Sequence, residues 1–153
     1  MAPDTNNPPH GLTTLEKMKW LRNAIIFANC KTDQLLALAS ISKEVTYKPN
    51  DVIFRENEPG DSLLYIIKGR VRLRKEGTQY ESIVGEGETV GTLSILDGQP
   101  RAATGIAEDE VLGLEIAAED FYELLSDNVE IVQGIFSRLT QEIRSYRYRQ
   151  SSL

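Results

Sequence analysis

The stretch "VGTLSILDGQPRAATG", residues 90–105, decides how this chain is interpreted. Two glycines enclose the run "TLSIL", and a single arginine, Arg101, follows among a proline and two alanines. Gly91 and Gly98 permit backbone conformations that other residues resist, and the run between them is long enough for one helical turn. The stretch therefore predicts a short helix bounded by tight turns, followed by an arginine in small-residue surroundings.

The sequence on either side of this stretch alternates between short apolar runs and glycine. Segments such as "SLLYIIK", "VRLR" and "VLGLEI" lie between glycines that recur every six to nine residues. Strands interrupted so regularly by turn residues are typical of an antiparallel barrel or jelly roll. The predicted fold is mainly β, an antiparallel jelly roll (double-stranded β-helix) flanked by N-terminal and C-terminal α-helices. The glycines are Gly60, Gly69, Gly77, Gly85, Gly91, Gly98, Gly105 and Gly113.

Helical patterns precede the β region. In "TTLEKMKWLRNAIIFANC", Thr13 and Glu16 have the spacing of a capping box, and Thr32 is the predicted N-cap of a second helix. Strand patterns begin at Val45 and end near residue 116. One domain over 12–150 is thus predicted, with N-terminal helices at 12–44, a β-roll at 45–116 and C-terminal helices at 117–150, after a disordered leader at 1–11.

The C-terminal helices end in the long segment "NVEIVQGIFSRLTQEIRSYRYR", whose apolar residues recur at three- and four-residue steps. Such a stripe predicts an amphipathic helix that packs on its own domain or forms a seam with a second copy. Tyr146 and Tyr148 are candidates for a lid that stacks on a ligand. The stripe consists of Val132, Ile135, Phe136, Leu139, Ile143 and Tyr146.

The composition excludes several classes of function. The 153 residues are 41% hydrophobic and 26% charged, and the net charge of -6 disfavours general affinity for nucleic acid or anionic membranes. No apolar run approaches the roughly 18 residues that a membrane span requires, and no signal peptide opens the chain. A cytoplasmic protein without a membrane span is predicted.

The sequence offers little for catalysis or metal binding. The one histidine, His10, lies in the polar leader, and the one cysteine, Cys30, has no neighbouring histidine to share a zinc ion. Histidine-based acid–base chemistry, nucleophilic triads and histidine-ligated metals all require an imidazole held in a formed site. We therefore predict no enzyme activity, no metal and no cofactor.

The opening stretch has the composition of a phosphate site. The first N–H groups of a helix favour an anion, and a nearby arginine can form two parallel hydrogen bonds with a phosphate. Pro100, Ala102 and Ala103 beside Arg101 are too small to block an approaching ligand. The alternative is that Arg101 is a surface residue after a turn, paired with a nearby carboxylate. The residues alone leave both interpretations open.

The sequence also resembles a known family, the cyclic nucleotide-binding domains of protein kinase A regulatory subunits, catabolite activator proteins and gated channels. The phosphate-binding cassette of that family reads approximately "F-G-E-L-A-L-L-x-x-x-P-R-A-A-T-V", and residues 90–105 align with it without gaps. The upstream segment "YKPNDVIFRENEPGDSLLYIIKGRVRL" is similar to the family's first strands. The resemblance implies an eight-stranded roll that holds cAMP or cGMP, with flanking helices that move when ligand binds.

The resemblance also implies roles for individual residues. Arg101 would clasp the cyclic phosphate, Gly91 would let the backbone approach the ribose, and Leu93 would line the pocket. Backbone N–H groups around Ser94 and Ala102 would donate to the phosphate. Members that prefer cGMP often carry threonine where this chain has Ala102, which favours cAMP here. The predicted ligand-binding residues are Gly91, Thr92, Leu93, Ser94, Arg101, Ala102 and Ala103.

The chain departs from the family pattern at three cassette positions. The glutamate that accepts a hydrogen bond from the ribose 2′-hydroxyl is replaced by Thr92. Losing a hydrogen bond to a charged group costs about 1.5–3 kcal/mol, which should weaken binding roughly ten- to a hundred-fold. Val90 replaces a phenylalanine, and Gly105 replaces a valine, which is expected to loosen the strand after the cassette.

Two classes of function stay open at this point. The first is a regulatory sensor that binds a cyclic nucleotide weakly, or binds another small anion. The second is a degenerate domain that serves in interaction or oligomerisation, with Arg101 bonded inside the protein. Further partners would be a second copy or a larger parent protein, reached through the C-terminal helix. No output domain is recognisable, so the regulated activity lies elsewhere.

Overall fold

The structure is a computed structural model that describes residues 11–151. The predicted leader therefore lies outside the described residues except for Gly11. A 3-10 helix, Ile25–Phe27, follows the first α-helix. The α-helices are α1 Thr14–Arg22, α2 Thr32–Ile41, α3 Thr92–Asp97, α4 Ala118–Asp127 and α5 Val129–Ser151. The strands are β1 Ser42–Tyr47, β2 Val52–Phe54, β3 Ser62–Lys68, β4 Val71–Arg74, β5 Glu81–Val84, β6 Thr89–Val90, β7 Thr104–Ala107 and β8 Val111–Ala117.

The strands form two four-stranded antiparallel sheets that enclose a roll. One sheet has the order β1-β8-β3-β6, and the other has the order β2-β7-β4-β5. The predicted fold class, an antiparallel jelly roll with helices before and after it, is confirmed. The first strand begins at Ser42, directly after α2, and so starts earlier than the predicted Val45.

Strand β3 shows why this sequence buries both faces of one sheet. Its alternate residues Leu64 and Ile66 pack inside the roll, while Leu63 and Tyr65 pack against the helices. Successive side chains of a strand point to opposite faces, so a continuous apolar run is the pattern of a strand covered on both sides. The sheet therefore separates two hydrophobic clusters, one within the roll and one beneath the helices.

The N-terminal helices begin much as the sequence indicates. Glu16 N–H donates to Thr13 Oγ1 at 3.2 Å and Thr13 N–H donates to Glu16 Oε2 at 2.7 Å, which confirms the capping box. The prediction for Thr32 is wrong, because α2 has its N-cap one residue earlier, at Lys31. Gln34 determines this start, since its Oε1 accepts the Lys31 N–H at 2.9 Å.

Two of the predicted turn glycines lie inside strands. Gly105 is in β7 and Gly113 is in β8. A Cβ at Gly105 would meet the Phe54 ring at 2.8 Å, and one at Gly113 would meet Leu64 Cδ1 at 2.6 Å. These glycines admit side chains from neighbouring strands, which the sequence spacing alone does not reveal. The Phe54 ring fills the space beside Gly105, and the expectation that Gly105 loosens its strand stays a prediction.

The long helix α5 changes its environment along its length. Ile131 and Ile135 are buried, and Leu139 packs against the same cluster as the N-terminal helices. Beyond Leu139 the apolar members of the predicted stripe, Ile143 and Tyr146, are exposed. The first half of α5 thus packs on its own domain, as one of the two alternatives for this helix requires.

Candidate ligand-binding site

The cassette folds as the short helix α3 followed by an extended approach to β7. Gly91 is the N-cap of α3 and has a left-handed backbone with φ of 81°. A Cβ at this position would collide with Arg101 Nη1 and would lie 3.0 Å from the Ser62 carbonyl oxygen. Glycine is therefore required for two reasons, its positive φ and the close approach of the arginine.

Arg101 is buried beneath α3, with only 3% of its side chain exposed. Its Nη1 donates to the Gly91 carbonyl oxygen at 3.1 Å and to Ser94 Oγ at 2.9 Å. Its Nη2 donates to the Ser62 carbonyl oxygen at 2.8 Å and lies 3.3 Å from Asp61 Oδ1. The idea of a surface arginine is thus wrong, although the expected pairing with a carboxylate is present.

The fifth N–H of this guanidinium differs from the other four. Arg101 Nε is buried and has no hydrogen-bond partner within the described part of the chain. A buried donor without a partner is costly, and in native proteins it often indicates a ligand, ion or water. Because both terminal nitrogens already donate to protein acceptors, a ligand that binds both ends of the guanidinium must displace some of these bonds.

The Asp61 ion pair is the weakest of the competing contacts. The Asp61 side chain is 87% exposed, so water screens its interaction with Arg101. Ser62 and Gly91, in contrast, use backbone carbonyl groups that are fixed by the fold. An anion that approaches Arg101 would therefore exchange most easily with Asp61 and with the Ser94 hydroxyl.

A cavity of about 460 Å³ opens beside this arginine. All seven residues predicted to bind ligand line it, and so do Val90, Gln99 and Pro100. Leu93, however, is a mostly exposed residue. The sequence did not predict the residues outside the cassette that also line the cavity. They are Ile25, Ile26, Phe54, Leu73, Arg138, Leu139 and Glu142. The amphipathic stripe indicated that α5 docks on the domain but carried no information about the surface that it meets.

Thr92, the cassette residue expected to replace the family's glutamate, brings a hydroxyl group to this wall of the cavity. Its hydroxyl donates to Thr89 Oγ1 at 2.9 Å, and both threonines line the cavity. The carboxylates on the cassette side of the cavity accept hydrogen bonds from backbone N–H groups of nearby turns. Glu88 accepts the Gly85 N–H at 2.7 Å, and Asp97 accepts the Gln99 N–H at 2.9 Å. This side of the cavity therefore lacks an unbonded carboxylate.

The candidate lid residues lie elsewhere. Tyr146 and Tyr148 are exposed on α5 and are not among the residues that line the cavity. The part of α5 that borders the cavity is one turn or more earlier, at residues 138–142.

Within residues 11–151, no group of three or more side chains that could ligate a metal occurs. No helix of this described part has the length and hydropathy to cross a bilayer.

A jelly roll with a buried arginine beneath a short cassette helix, beside a helix-bordered cavity, defines a ligand-binding domain. The chain belongs to the cyclic nucleotide-binding domain family, whose family model matches residues 44–128. The resemblance found in the cassette is thereby confirmed, and with it the general function of a regulatory, cyclic nucleotide-binding domain.

Individual proteins support the same assignment. The chain is 27% identical over 128 residues to a CRP-like cAMP-activated global transcriptional regulator of Mycobacterium tuberculosis, covering 81% of this chain and 57% of the regulator. It is 31% identical over 123 residues to a cGMP-dependent protein kinase of Drosophila melanogaster, covering 76% of this chain and 13% of the kinase. The chain thus spans little more than half of the regulator and a small part of the kinase.

A solved structure agrees with the fold. The N-terminal domain of a transcriptional regulator from Streptomyces coelicolor A3(2) superposes with a TM-score of 0.73 at 30% sequence identity. The match covers 83% of this chain and 94% of that domain. The chain therefore shares its fold and nearly a third of the aligned residues with that domain.

Proposed function

We propose that this chain is a cyclic nucleotide sensor in which Arg101 binds the cyclic phosphate. One observation carries the proposal: seven cassette residues, between Gly91 and Ala103, surround one cavity with a buried arginine whose Nε has no hydrogen-bond partner within residues 11–151. The backbone N–H groups near Ser94 and Ala102 would donate to the same phosphate. Charge-assisted bonds from arginine to phosphate are strong, so the phosphate would provide much of the affinity.

The base preference and the affinity follow from two side chains. Ala102 lines the cavity without a hydroxyl that could reach a guanine amino group, which favours cAMP over cGMP. Thr92 lacks the carboxylate for the ribose 2′-hydroxyl, and its own hydroxyl proton is directed to Thr89. A bridging water can recover part of the lost interaction. We therefore expect weak binding, with cAMP as the better ligand.

A second function is favoured by a different observation. Both terminal nitrogens of Arg101 already donate to protein oxygens, which is what a purely structural arginine would do. In that case the domain would be degenerate, would bind no nucleotide, and would serve as an interaction or oligomerisation module. The Arg101 Nε atom, for which the described residues supply no hydrogen-bond partner, favours the sensor, because a structural role alone leaves that buried donor unexplained.

We also propose the location of the domain and the partners that it contacts. We expect no catalytic activity of its own, no nucleic acid partner in view of the net charge of -6, and a cytoplasmic location. Its output would pass through α5, either to a second copy or to the remainder of a larger parent protein. The exposed Phe136, Ile143 and Tyr146 of that helix supply an apolar surface for such a contact.

Isothermal titration of the chain with cAMP, cGMP and 5′-AMP tests the proposal. Saturable binding of cAMP, weaker binding of cGMP and no binding of 5′-AMP is the expected result. Absence of binding of both cyclic nucleotides at millimolar concentration would contradict it and would favour the degenerate domain. Thermal melting with the same ligands gives a second measurement, because a ligand that binds only the folded state raises the midpoint.

A further inference from the structure

The sheet formed by β2, β7, β4 and β5 carries a row of aliphatic side chains on its outside. Val52 pairs with Ile106, which pairs with Arg72 on the next strand. Arg72 pairs in turn with Ile83 on the edge strand β5. Val71, beside Arg72 along β4, is buried in the roll, and successive side chains of a strand point to opposite faces. The outer row, defined as Val52, Ile106, Arg72 and Ile83, therefore faces away from the roll.

The outer row exposes aliphatic surface where polar side chains are expected. Val52 is 39% exposed, Ile83 is 47% exposed, and Ile106 is half-buried. When one face of an antiparallel sheet packs on the core, the other face is normally polar. Apolar side chains that line up across all four strands instead have the arrangement of a contact surface for another molecule.

Positive charge is in excess beside one end of the strands in this row. Strand β4 directs three arginines outward at alternate positions, and Arg70 is already paired with Asp109 at 3.3 Å. Arg72 forms an ion pair with Glu81 at 3.5 Å, in which its buried Nε gains no hydrogen bond. Arg74, the cross-strand neighbour of Glu81, is exposed and has no ion pair among residues 11–151. Two guanidinium groups and one carboxylate leave a net positive charge there.

We propose that the outer row binds an acidic amphipathic helix of a partner protein. Ile106 and Ile83 are two strand spacings apart, about 10 Å, and residues i and i+7 on one face of a helix are also about 10 Å apart. Aliphatic residues at i and i+7 would therefore contact these two isoleucines. Glutamates at i+3 and i+4 would lie between them, within reach of Arg72 and Arg74.

The charges favour a different protein over a second copy of this chain as the occupant. A two-fold contact centred on the outer row would bring Arg72 close to the same arginine of the other copy, and like charges that lose water repel strongly. The surface is also separate from the nucleotide cavity, because none of the four residues of the outer row lines that cavity. The inference therefore does not depend on the proposed function.

Two synthetic peptides test the surface on the unsubstituted chain. Both are fluorescein-labelled, alanine-based helices of about 18 residues, long enough to be helical in water, with leucine at i and i+7. The acidic peptide has glutamate at i+3 and i+4, and the basic peptide has lysine there. Fluorescence anisotropy is expected to show saturable binding of the acidic peptide with a Kd below about 1 mM and no binding of the basic peptide.

Matched variants locate the binding. Ile83→Thr keeps a β-branched side chain suited to a strand, and Arg72→Gln removes the charge. Each is expected to raise the Kd of the acidic peptide about five- to ten-fold. Leu36→Gln is the control, because Leu36 on α2 is 48% exposed, as much as Ile83, but lies outside the row. All three free proteins should melt within a few degrees of the unsubstituted chain, since surface substitutions change stability little.

Three results would overturn the inference: no binding of the acidic peptide, equal binding of the basic peptide, or unchanged binding after Ile83→Thr and Arg72→Gln. The comparison of the two peptides needs no variant to fold. Self-association of the unsubstituted chain that Ile83→Thr abolishes would assign the outer row to a second copy instead. Titration of both variants with cAMP is expected to match that of the unsubstituted chain, so the failure of one proposal leaves the other intact.

Discussion

The guanidinium carbon of Arg101 lies 4.5 Å from the centre of the Phe54 ring. A cation over an aromatic face is attracted by the ring, and the attraction grows when water is excluded, as it is around this buried side chain. The ring can occupy this place because Gly105 on the neighbouring strand has no Cβ. Gly105 thus provides the space for the aromatic ring that covers Arg101.

Gly105→Val should therefore destabilise the domain. Its Cβ would meet Phe54 Cζ at 2.8 Å, so the ring must leave its position over Arg101 or the strands must separate. Overpacking of this kind costs about 1–3 kcal/mol, which thermal melting detects as a lower midpoint. Combining the substitution with Phe54→Leu should recover part of the loss. An unchanged midpoint for Gly105→Val alone would show that the ring is loosely held.

Arg101→Ala should reduce both ligand affinity and stability. The loss of the phosphate's counter-charge is expected to cost at least about 2 kcal/mol of binding free energy. The Ser62 carbonyl oxygen and the Ser94 hydroxyl also lose a donor, which costs about 1–3 kcal/mol of unfolding free energy. Titration and melting measure the two effects separately. Unchanged nucleotide binding with a large fall in the melting midpoint would show that Arg101 is structural and does not bind the phosphate.

Thr92→Glu should strengthen cAMP binding by about 1.5–3 kcal/mol, because a carboxylate would again accept from the ribose 2′-hydroxyl. Thr92 begins α3, where a negative charge is also favoured by the helix dipole. Titration with 2′-deoxy-cAMP is the control, since the gain should vanish when the hydroxyl is missing. Thr92→Gln provides a neutral side chain of the same length. Equal gains for cAMP and its deoxy analogue would exclude a ribose contact.

The sequence predicted the cassette well because its geometry is local. Gly91, α3 and Arg101 lie within eleven residues, and the glycine conformations, the short helix and the arginine follow from neighbours along the chain. The partners of Arg101 could not be predicted in the same way. Asp61 and Ser62 are about forty residues away in sequence, and only the pairing of β3 in its sheet brings them to the arginine.

The difference between local contacts and contacts that depend on tertiary packing also explains where other predictions from the sequence differ from the structure. Glycine spacing predicted turns, but Gly105 and Gly113 serve contacts between strands that no periodicity encodes. The stripe of α5 left open whether the helix packs on its own domain or on a second copy, and in the structure only Ile131 and Ile135 of this helix are buried. Arg138 and Glu142 belong to the charged residues that a helical pattern assigns to solvent. Their place at the cavity depends on how α5 packs against the 3-10 helix, a tertiary contact.

Ile143→Glu tests whether the second half of α5 contacts a second copy. Phe136, Ile143 and Tyr146 are exposed and follow seven- and three-residue steps, the spacing of a seam between paired helices. We expect the unsubstituted chain to sediment as a dimer and the variant as a monomer. Arg144→Glu, which changes a charged neighbour of the seam, is the control. The expectation would be contradicted if the unsubstituted chain were monomeric at about 0.1 mM, a concentration at which even a weak dimer should form.

Cys30 should react slowly with thiol reagents. Burial raises the pKa of its thiol from 9.0 to about 11, so the thiolate is scarce at pH 8. A change of this size predicts roughly a hundred-fold less thiolate than in the unfolded chain. Labelling with a maleimide, with and without denaturant, measures the ratio. Because the unfolded chain ionises first, this group lowers the unfolding free energy as pH rises from 9.0 to about 11.

Helix α2 continues into β1 without an intervening residue, since Ile41 ends one element and Ser42 begins the next. The junction is clamped, because the Ser42 hydroxyl donates to the Ala39 carbonyl oxygen at 2.8 Å and Lys17 Nζ donates to the Ser42 carbonyl oxygen at 2.8 Å. These two bonds hold the end of α2 and the start of β1 together, so we expect a displacement of α2 to move β1, and with it the edge of the sheet.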